Sequence, residues 1–300
     1  MSSAIHGTEN RLRVAVGIAT AGRPQILNQI VRELMKQRRP PDAIVVCAST
    51  NADLGDIPLE FPAIVTLFAG RGLAQKRNAI LRHLSDVDVL IFLDDDFLVD
   101  PDYVAATEAA FASDKMTAMT TGEVIADGVC GPGLDVAAAR QALFGGSIAA
   151  NTAPHEVYSA YGCNMGLRLD LACRHQLTFD EQLPLYGWLE DVDFSRRVAA
   201  YGRIVKAPAA RGVHLGVKSA RQRGVQLGYS QVANPVYLMR KGTYGARYAT
   251  ALMSRNILAN FVRALWPEAH VDRIGRALGN LRALLDLIDG RLHPQRILSL

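Results

Sequence analysis

Val89-Leu90-Ile91-Phe92-Leu93-Asp94-Asp95-Asp96-Phe97 is the stretch that decides the fold. Five branched or aromatic apolar residues in a row read as a strand buried on both faces, the kind found in parallel sheets. The run ends abruptly in three aspartates. Like charges side by side repel one another and resist burial, so something positive must compensate them. A divalent cation does this well, because hard carboxylate oxygens suit Mg²⁺ or Mn²⁺. In open α/β sheets the carboxyl ends of the strands are also where ligands bind. A solvated acidic loop is the plainer reading, but surface aspartates rarely follow a core strand so directly.

Working outward, short apolar runs alternate with helical patterns. Residues 13–19, 43–48 and 63–68 are strand candidates. Residues 24–37 predict an amphipathic helix with Ile26, Leu27, Ile30, Val31 and Leu34 on one face, broken by Pro40-Pro41. Residues 73–84 and 103–112 predict two more helices, and 116–125 a further strand. Residues 128–147 are rich in Gly and Ala without a clear period and read as a mobile loop over the site. Residues 251–266 and 271–288 predict two helices separated by Pro267. Alternating β and α elements predict a mostly parallel sheet flanked by helices, with a helical C-terminal extension.

Composition sets limits. Nearly half of the 300 residues are hydrophobic, ample for a buried core. The four cysteines form no C-x-x-C pair, which speaks against a zinc site or disulfide framework and for a reducing compartment. The N-terminus lacks the apolar core of a signal peptide, and no apolar run approaches a membrane span. A cytoplasmic location is the expectation. The net charge of +4 is unevenly spread: residues 203–300 carry 16 Lys+Arg and 4 Asp+Glu, residues 1–202 carry 17 and 25. The basic third suggests an anionic partner, such as phosphates or the inner face of the cytoplasmic membrane. Nucleic acid is disfavoured, since no zinc-finger, RRM or helix-turn-helix pattern is present.

Several motifs, in order, carry a family resemblance over residues 13–240. They are Val16-Gly17-Ile18-Ala19-Thr20-Ala21-Gly22-Arg23-Pro24, then Val45-Val46-Cys47-Ala48-Ser49-Thr50-Asn51, then Gly72-Leu73-Ala74-Gln75-Lys76-Arg77-Asn78. Asp94-Asp95-Asp96 follows, then Gly162-Cys163-Asn164-Met165-Gly166 and Trp188-Leu189-Glu190-Asp191-Val192-Asp193-Phe194. Together they resemble the family 2 glycosyltransferases, whose fold is the Rossmann-like GT-A fold. Where many members have aspartates in the second segment, this chain has Cys47 and Ala48.

The resemblance implies an inverting, metal-dependent transfer from a nucleoside-diphosphate sugar to a carbohydrate or lipid-linked acceptor, in bacterial polysaccharide or glycolipid synthesis. It implies a catalytic domain over 1–245, with a nucleotide-sugar half at about 13–125 and an acceptor half at about 126–245, and an extension over 246–300. Asp191 is the implied general base, because an acceptor hydroxyl of high pKa must lose its proton as it attacks. Glu190 would orient the acceptor and Trp188 stack on it, with Tyr186 a second stacking candidate. Thr20, Arg23, Ser49, Lys76, Arg77, Asn78, Asp94, Asp95 and Asn164 are the implied donor-binding residues. Asp96, Asp94 and His214 are the implied metal ligands.

Plainer readings stand beside these. Acids at 190, 191 and 193 also suit the first turn of a helix, and Asp193 reads as structural. A lone His214 is commonly a core residue. Arg221, Arg223 and Arg240 could clamp a diphosphate or simply be solvated. The apolar faces in 251–300 fit packing or a homo-oligomer, and their arginines fit a membrane surface. A sugar-phosphate nucleotidyltransferase would show Gly-x-Gly-Thr-Arg where this chain has Thr20-Ala21-Gly22-Arg23. A phosphatase using Asp94 as nucleophile would have its motif near the N-terminus. A non-catalytic carbohydrate-binding protein would not need Asp94, Asp96 and Asp191 together.

Overall fold

The computed structural model describes residues 11–58, 63–145, 153–219, 223–266 and 268–300. The chain runs β1 (Val14–Ala19), α1 (Pro24–Met35), β2 (Ala43–Ala48), α2 (Asn51–Leu54), β3 (Ile64–Phe68), α3 (Leu73–His83) and β4 (Val89–Asp94). It continues through β5 (Phe97–Val99), α4 (Tyr103–Ser113), β6 (Thr117–Asp127), α5 (Val136–Gly145), β7 (His155–Glu156), β8 (Asn164–Arg168), α6 (Leu169–Arg174) and α7 (Glu190–Val198). Last come β9 (Arg203–His214), α8 (Gly224–Lys241), α9 (Ala246–Arg263) and α10 (Arg273–Ile288).

One nine-stranded sheet has the order β3-β2-β1-β4-β8-β6-β9-β5, with β7 also on β9. β1 pairs in parallel with β2 and β4, β2 with β3, and β6 with β9. β8 runs antiparallel between β4 and β6, so β4, β6 and β9 still point the same way. The sheet is therefore mostly parallel. Both faces are covered, and alternate residues of one strand enter opposite cores. On β4, Val89, Ile91 and Leu93 pack with α1, α4 and α5, while Leu90 and Phe92 pack with α3, α6 and α7. That two-sided burial is why the strand reads as a continuous apolar run.

Pro24 opens α1, where its missing N–H is not needed, and Leu27, Ile30, Val31 and Leu34 are buried at helical spacing. Residues 128–145 differ from the loop expected over 128–147. They hold a short 3₁₀ turn at Gly128–Cys130 and then α5, anchored through buried Ala139 and Leu143. Four alanines within α5 favour helix without making a visible apolar stripe. Ser147, Arg221 and Pro267 lie outside the described residues.

The C-terminal helices form their own apolar cluster, with Tyr229, Val232, Ala233, Val236, Ala283 and Ile297 at its centre. The cluster begins at α8, upstream of position 246. The sequence hid α8 because it contains Gly224, Gly228 and Pro235. Those glycines have a packing reason: a Cβ on Gly228 would stand 2.1 Å from the Arg276 carbonyl oxygen. The α8 and α10 backbones thus touch. Among the described residues no helix is long and apolar enough to cross a membrane.

Asp286 locks this cluster. It is buried and accepts from Tyr229 Oη at 2.8 Å and Arg296 Nε at 2.7 Å. Burial raises its pKa, but those two partners outweigh it and hold the carboxyl below the usual range. A depressed folded-state pKa adds stability above the ordinary carboxylate value, and that stability is lost as pH falls through the depressed one. Asp286→Asn is expected to flatten the acid limb of the stability curve. Urea midpoints measured from pH 5 to pH 2 check this; a parallel curve for wild type and variant counts against it.

Candidate active site

The site sits at a topological switch point. β1 leads to β2 on one side, while β4 lies on β1's other side, so the carboxyl ends of β1 and β4 open a crevice. Asp94 is in register with Ala19, which places Thr20 and Arg23 beside the acid triplet. Thr20 Oγ1 donates to Asp95 Oδ2 at 2.7 Å. Arg23 lies 2.5 Å from Asp95 and donates to Asp96 Oδ2 at 2.8 Å. The Val217 N–H adds a second donor to Asp96 at 2.9 Å. Burial pushes Asp95 up, Arg23 only partly offsetting it. Burial also acts on Asp96, but His214, Arg23 and the Val217 amide win and hold it down.

The strand after the triplet explains how a distant histidine arrives. β5 pairs antiparallel with β9 and sets Phe97 opposite His214. His214 Nε2 then stands 3.4 Å from Asp96 Oδ1 and 3.9 Å from Asp94 Oδ2. Its other nitrogen, Nδ1, lies 3.2 Å from Asp127 Oδ1 on β6. Burial lowers the imidazole pKa, yet Asp127 and Asp96 more than reverse this and raise it to about 10. Ligand atoms of Asp94, Asp96 and His214 all fall within 4.8 Å of one another. Two carboxylates and an imidazole backed by a third carboxylate make a donor set suited to a divalent cation. Asp96 Oδ1 is buried without a hydrogen-bond donor in bonding geometry, which fits that role.

Arg77 connects this cluster to α7. It is almost fully buried and donates to Glu190 Oε1, to Asp94 Oδ1 at 3.1 Å and to the Gly162 carbonyl at 2.6 Å. Phe92 and Phe179 flank its guanidinium, with centroids 5.7 and 5.4 Å away. Beside it Asp191 Oδ2 accepts from Gly162 N–H at 2.9 Å and Oδ1 from Val192 N–H at 2.9 Å. Burial raises the Asp191 pKa despite these donors. Burial also raises Glu190, to about 8, against the pull of Arg77.

The turn that delivers α7 is strained. Leu185, Gly187 and Leu189 all have positive φ, +57°, +63° and +72°, a conformation costly for leucine. It is held by Leu73 N–H on the Leu185 carbonyl, which ties it to the start of α3. A cleft of about 410 Å³ opens at Asp191, lined by Thr121, Glu123, Ser159, Tyr161 and Lys206 among others.

Of the residues singled out in the sequence, Thr20, Arg23, Arg77, Asp94, Asp95, Asp96, Glu190 and His214 are joined by the direct contacts above. Lys76 is buried and donates to the Thr20 carbonyl at 2.7 Å, and Ser49 is half-buried at the end of β2. Asn164 is buried and accepts from Thr121 Oγ1 at 2.7 Å. Asn78 turns to another neighbourhood, bonding the Phe179 backbone and Glu181. Trp188 is half-buried, its carbonyl held by Asn234, and Tyr186 is exposed. Asp193 ties α7 to residues 241–243 through Lys241 and Thr243. Arg223 and Arg240 are exposed at the two ends of α8. Asp127 and Tyr161, whose hydroxyl donates to Asp127, are not marked by any motif in the sequence, whereas Gly162, which donates to Asp191, opens one of the motifs quoted above.

No protein-family model and no curated protein sequence matches the chain. Solved structures do. GalNAc-T7 with UDP, GalNAc and Mn²⁺ is 18% identical with a TM-score of 0.55, over 72% of this chain and 46% of that one. The mannosyltransferase PcManGT from Pyrobaculum calidifontis, with GDP-Man and Mn²⁺, is 14% identical with a TM-score of 0.54, over 97% and 86%. S. aureus TarS 1–349 with UDP-GlcNAc is 16% identical with a TM-score of 0.53, over 95% and 83%. This chain thus spans under half the length of the GalNAc-T7 chain it matches. It has the GT-A-like fold of these glycosyltransferases. Two of the three structures hold Mn²⁺, and Asp94, Asp96 and His214 form a cluster compatible with a divalent metal.

Proposed function

We propose that this protein is an inverting glycosyltransferase of the family 2 type, moving a sugar from a nucleoside-diphosphate donor to an acceptor hydroxyl. The observation that carries the reading is Arg77. One buried guanidinium links a cation-binding acid cluster at the crevice to the carboxylate helix that borders the cleft. The donor diphosphate binds at the Asp94–Asp96 end, and the acceptor enters the cleft at Asp191.

Asp94, Asp96 and His214 would hold Mn²⁺ or Mg²⁺, which when bound supplies neutralisation of the charge that grows on the leaving diphosphate. Asp191 takes the acceptor proton. Its Gly162 and Val192 hydrogen bonds fix the carboxylate's aim, and burial makes it a stronger base than a solvated aspartate. The attacking oxygen displaces the diphosphate in one step, so the anomeric configuration inverts. Glu190 is pinned by Arg77 and positions the turn rather than taking protons. The half-buried Trp188 and the cleft-lining Tyr161 offer aromatic faces to a carbohydrate or lipid-linked acceptor, in bacterial polysaccharide or glycolipid synthesis.

A thermal-shift titration tests this. UDP or GDP is expected to raise the melting temperature only with Mn²⁺ or Mg²⁺ present, since a ligand at 100 times its Kd adds about 2.7 kcal/mol to the folded state. Asp96→Ala should remove the metal-dependent shift while leaving the unliganded protein folded. Absence of any stabilisation by nucleoside diphosphates with metal overturns the reading.

A further inference from the structure

α9 and α10 each carry an exposed, strongly apolar face. On and just after α9 it carries Leu258, Phe261, Val262, Leu265 and Trp266. On α10 it carries Ile274, Leu278, Leu281, Leu285 and Ile288. Each of the ten is between 44% and 81% exposed. Large apolar side chains bring on the order of 150–250 Å² each when aromatic and somewhat less when aliphatic, so these expose on the order of 1,000 Å². The largest apolar patch on a typical monomer is about 300–600 Å². A stable protein interface takes about 800 Å² from each partner.

Spacing narrows the occupant. Ile274, Leu278, Leu281, Leu285 and Ile288 are separated by four, three, four and three residues. That is the 3.5-residue seam by which one helix packs along another. The buried residues of α10 (Gly275, Ala277, Gly279, Asn280, Ala283 and Asp286) are those that meet the rest of the protein, so the seam is a second, unused face. α9 makes the same point. Of its 18 residues only Ala249 and Asn260 are fully buried, with Met253 and Ile257 partly buried against the cluster, while its opposite side is exposed.

Charge gives a bilayer only part of the support that the arginine count suggests. The arginine surplus would draw this face to an anionic membrane only if its arginines were available. Instead Arg263 and Arg273 grip Glu268, Arg296 grips Asp286, and Arg291 holds Asp289. The exposed Arg247, Arg255 and Arg282 remain beside them, so the segment keeps a modest positive surplus, and vesicle flotation tests what it does.

We infer that the α9–α10 face is a homodimer interface, in which the α10 seam of one copy packs on the same seam of a second copy. A seam of this kind is self-complementary under a two-fold axis, so each copy supplies the surface the other lacks. The inference rests on the C-terminal helices alone and is independent of the catalytic reading.

Sedimentation velocity on the full chain from 0.5 to 50 µM decides it. The expected result is a species of twice the chain mass at the upper concentrations, dissociating on dilution. Hydrogen exchange over 258–266 and 274–288 should slow by at least tenfold between the two ends of that range. Leu278→Glu with Leu285→Glu should give a monomer that keeps the metal-dependent nucleotide shift of the wild type. A wild-type chain that stays monomeric at 50 µM, or that dimerises without added protection of these two segments, overturns the proposal. Flotation with vesicles of one-third anionic lipid at low salt is the second arm, and binding by the monomer would overturn it in favour of a membrane face.

Discussion

Asp191→Asn is expected to lower turnover at saturating acceptor by roughly two to four orders of magnitude, the usual worth of a positioned general base. The substitution keeps the side-chain shape and one oxygen. That oxygen can still accept from Gly162 or from Val192, so the cleft wall should stay in place. What is lost is the group proposed to take the acceptor proton. The Asp94, Asp96 and His214 cluster is untouched by the substitution, so the nucleotide binding proposed for it should survive. Steady-state rates with a saturating acceptor, beside nucleotide thermal shifts, separate the two. The wild-type rate should fall on the acid side as Asp191 becomes protonated, beginning above the usual aspartate range because burial raises its pKa. The variant's weak residual rate should lack that limb. Near-normal turnover in Asp191→Asn would falsify the assignment.

Arg77→Met is expected to cost about 3–5 kcal/mol of folding stability, the penalty for removing one partner of a buried ionic network. Arg77 answers Glu190 and Asp94 at once and also satisfies the Gly162 carbonyl. Methionine fills much of the volume between Phe92 and Phe179 but leaves the buried Glu190 and the part-buried Asp94 facing each other's field. Neutralising one of them should recover part of the loss, so Arg77→Met with Glu190→Gln should be more stable than Arg77→Met alone. Urea unfolding of the three proteins measures this. A loss under about 1 kcal/mol in the single variant would show that the network contributes little.

Much of the fold was legible because it depends on local pattern. A strand covered on both faces must be apolar throughout, so β1, β2 and β4 stood out, and Pro24 marked the start of α1. The elements that escaped are those whose reasons lie elsewhere in the chain. β5 has three residues and exists because β9 pairs with it. α8 carries two glycines and a proline that would weaken an isolated helix, but α10 needs the close approach those glycines allow. α5 looked like a loop because its alanines give no periodic contrast.

The candidate site divides in the same way. The acid triplet announced itself from the sequence, because three carboxylates at the end of an apolar run are costly wherever the chain goes. The basic surplus was equally plain, since it is only a count. Its destination was not: Arg263, Arg273, Arg291 and Arg296 turn to carboxylates of their own segment, and the apolar seam beside them remains exposed. Only the tertiary structure brings His214 and Asp127 to the triplet, through strand registers that join residues more than 80 positions apart. It alone gives Arg77 to Asp94 and Glu190 while turning the adjacent Asn78 to Phe179. Neighbours on a helix point about 100° apart, so adjacency in sequence says little about which side chains meet. Apolar periodicity and like-charge repulsion act within a few residues and are therefore written in the sequence; the partner of a buried charge is chosen by register and packing across the whole chain.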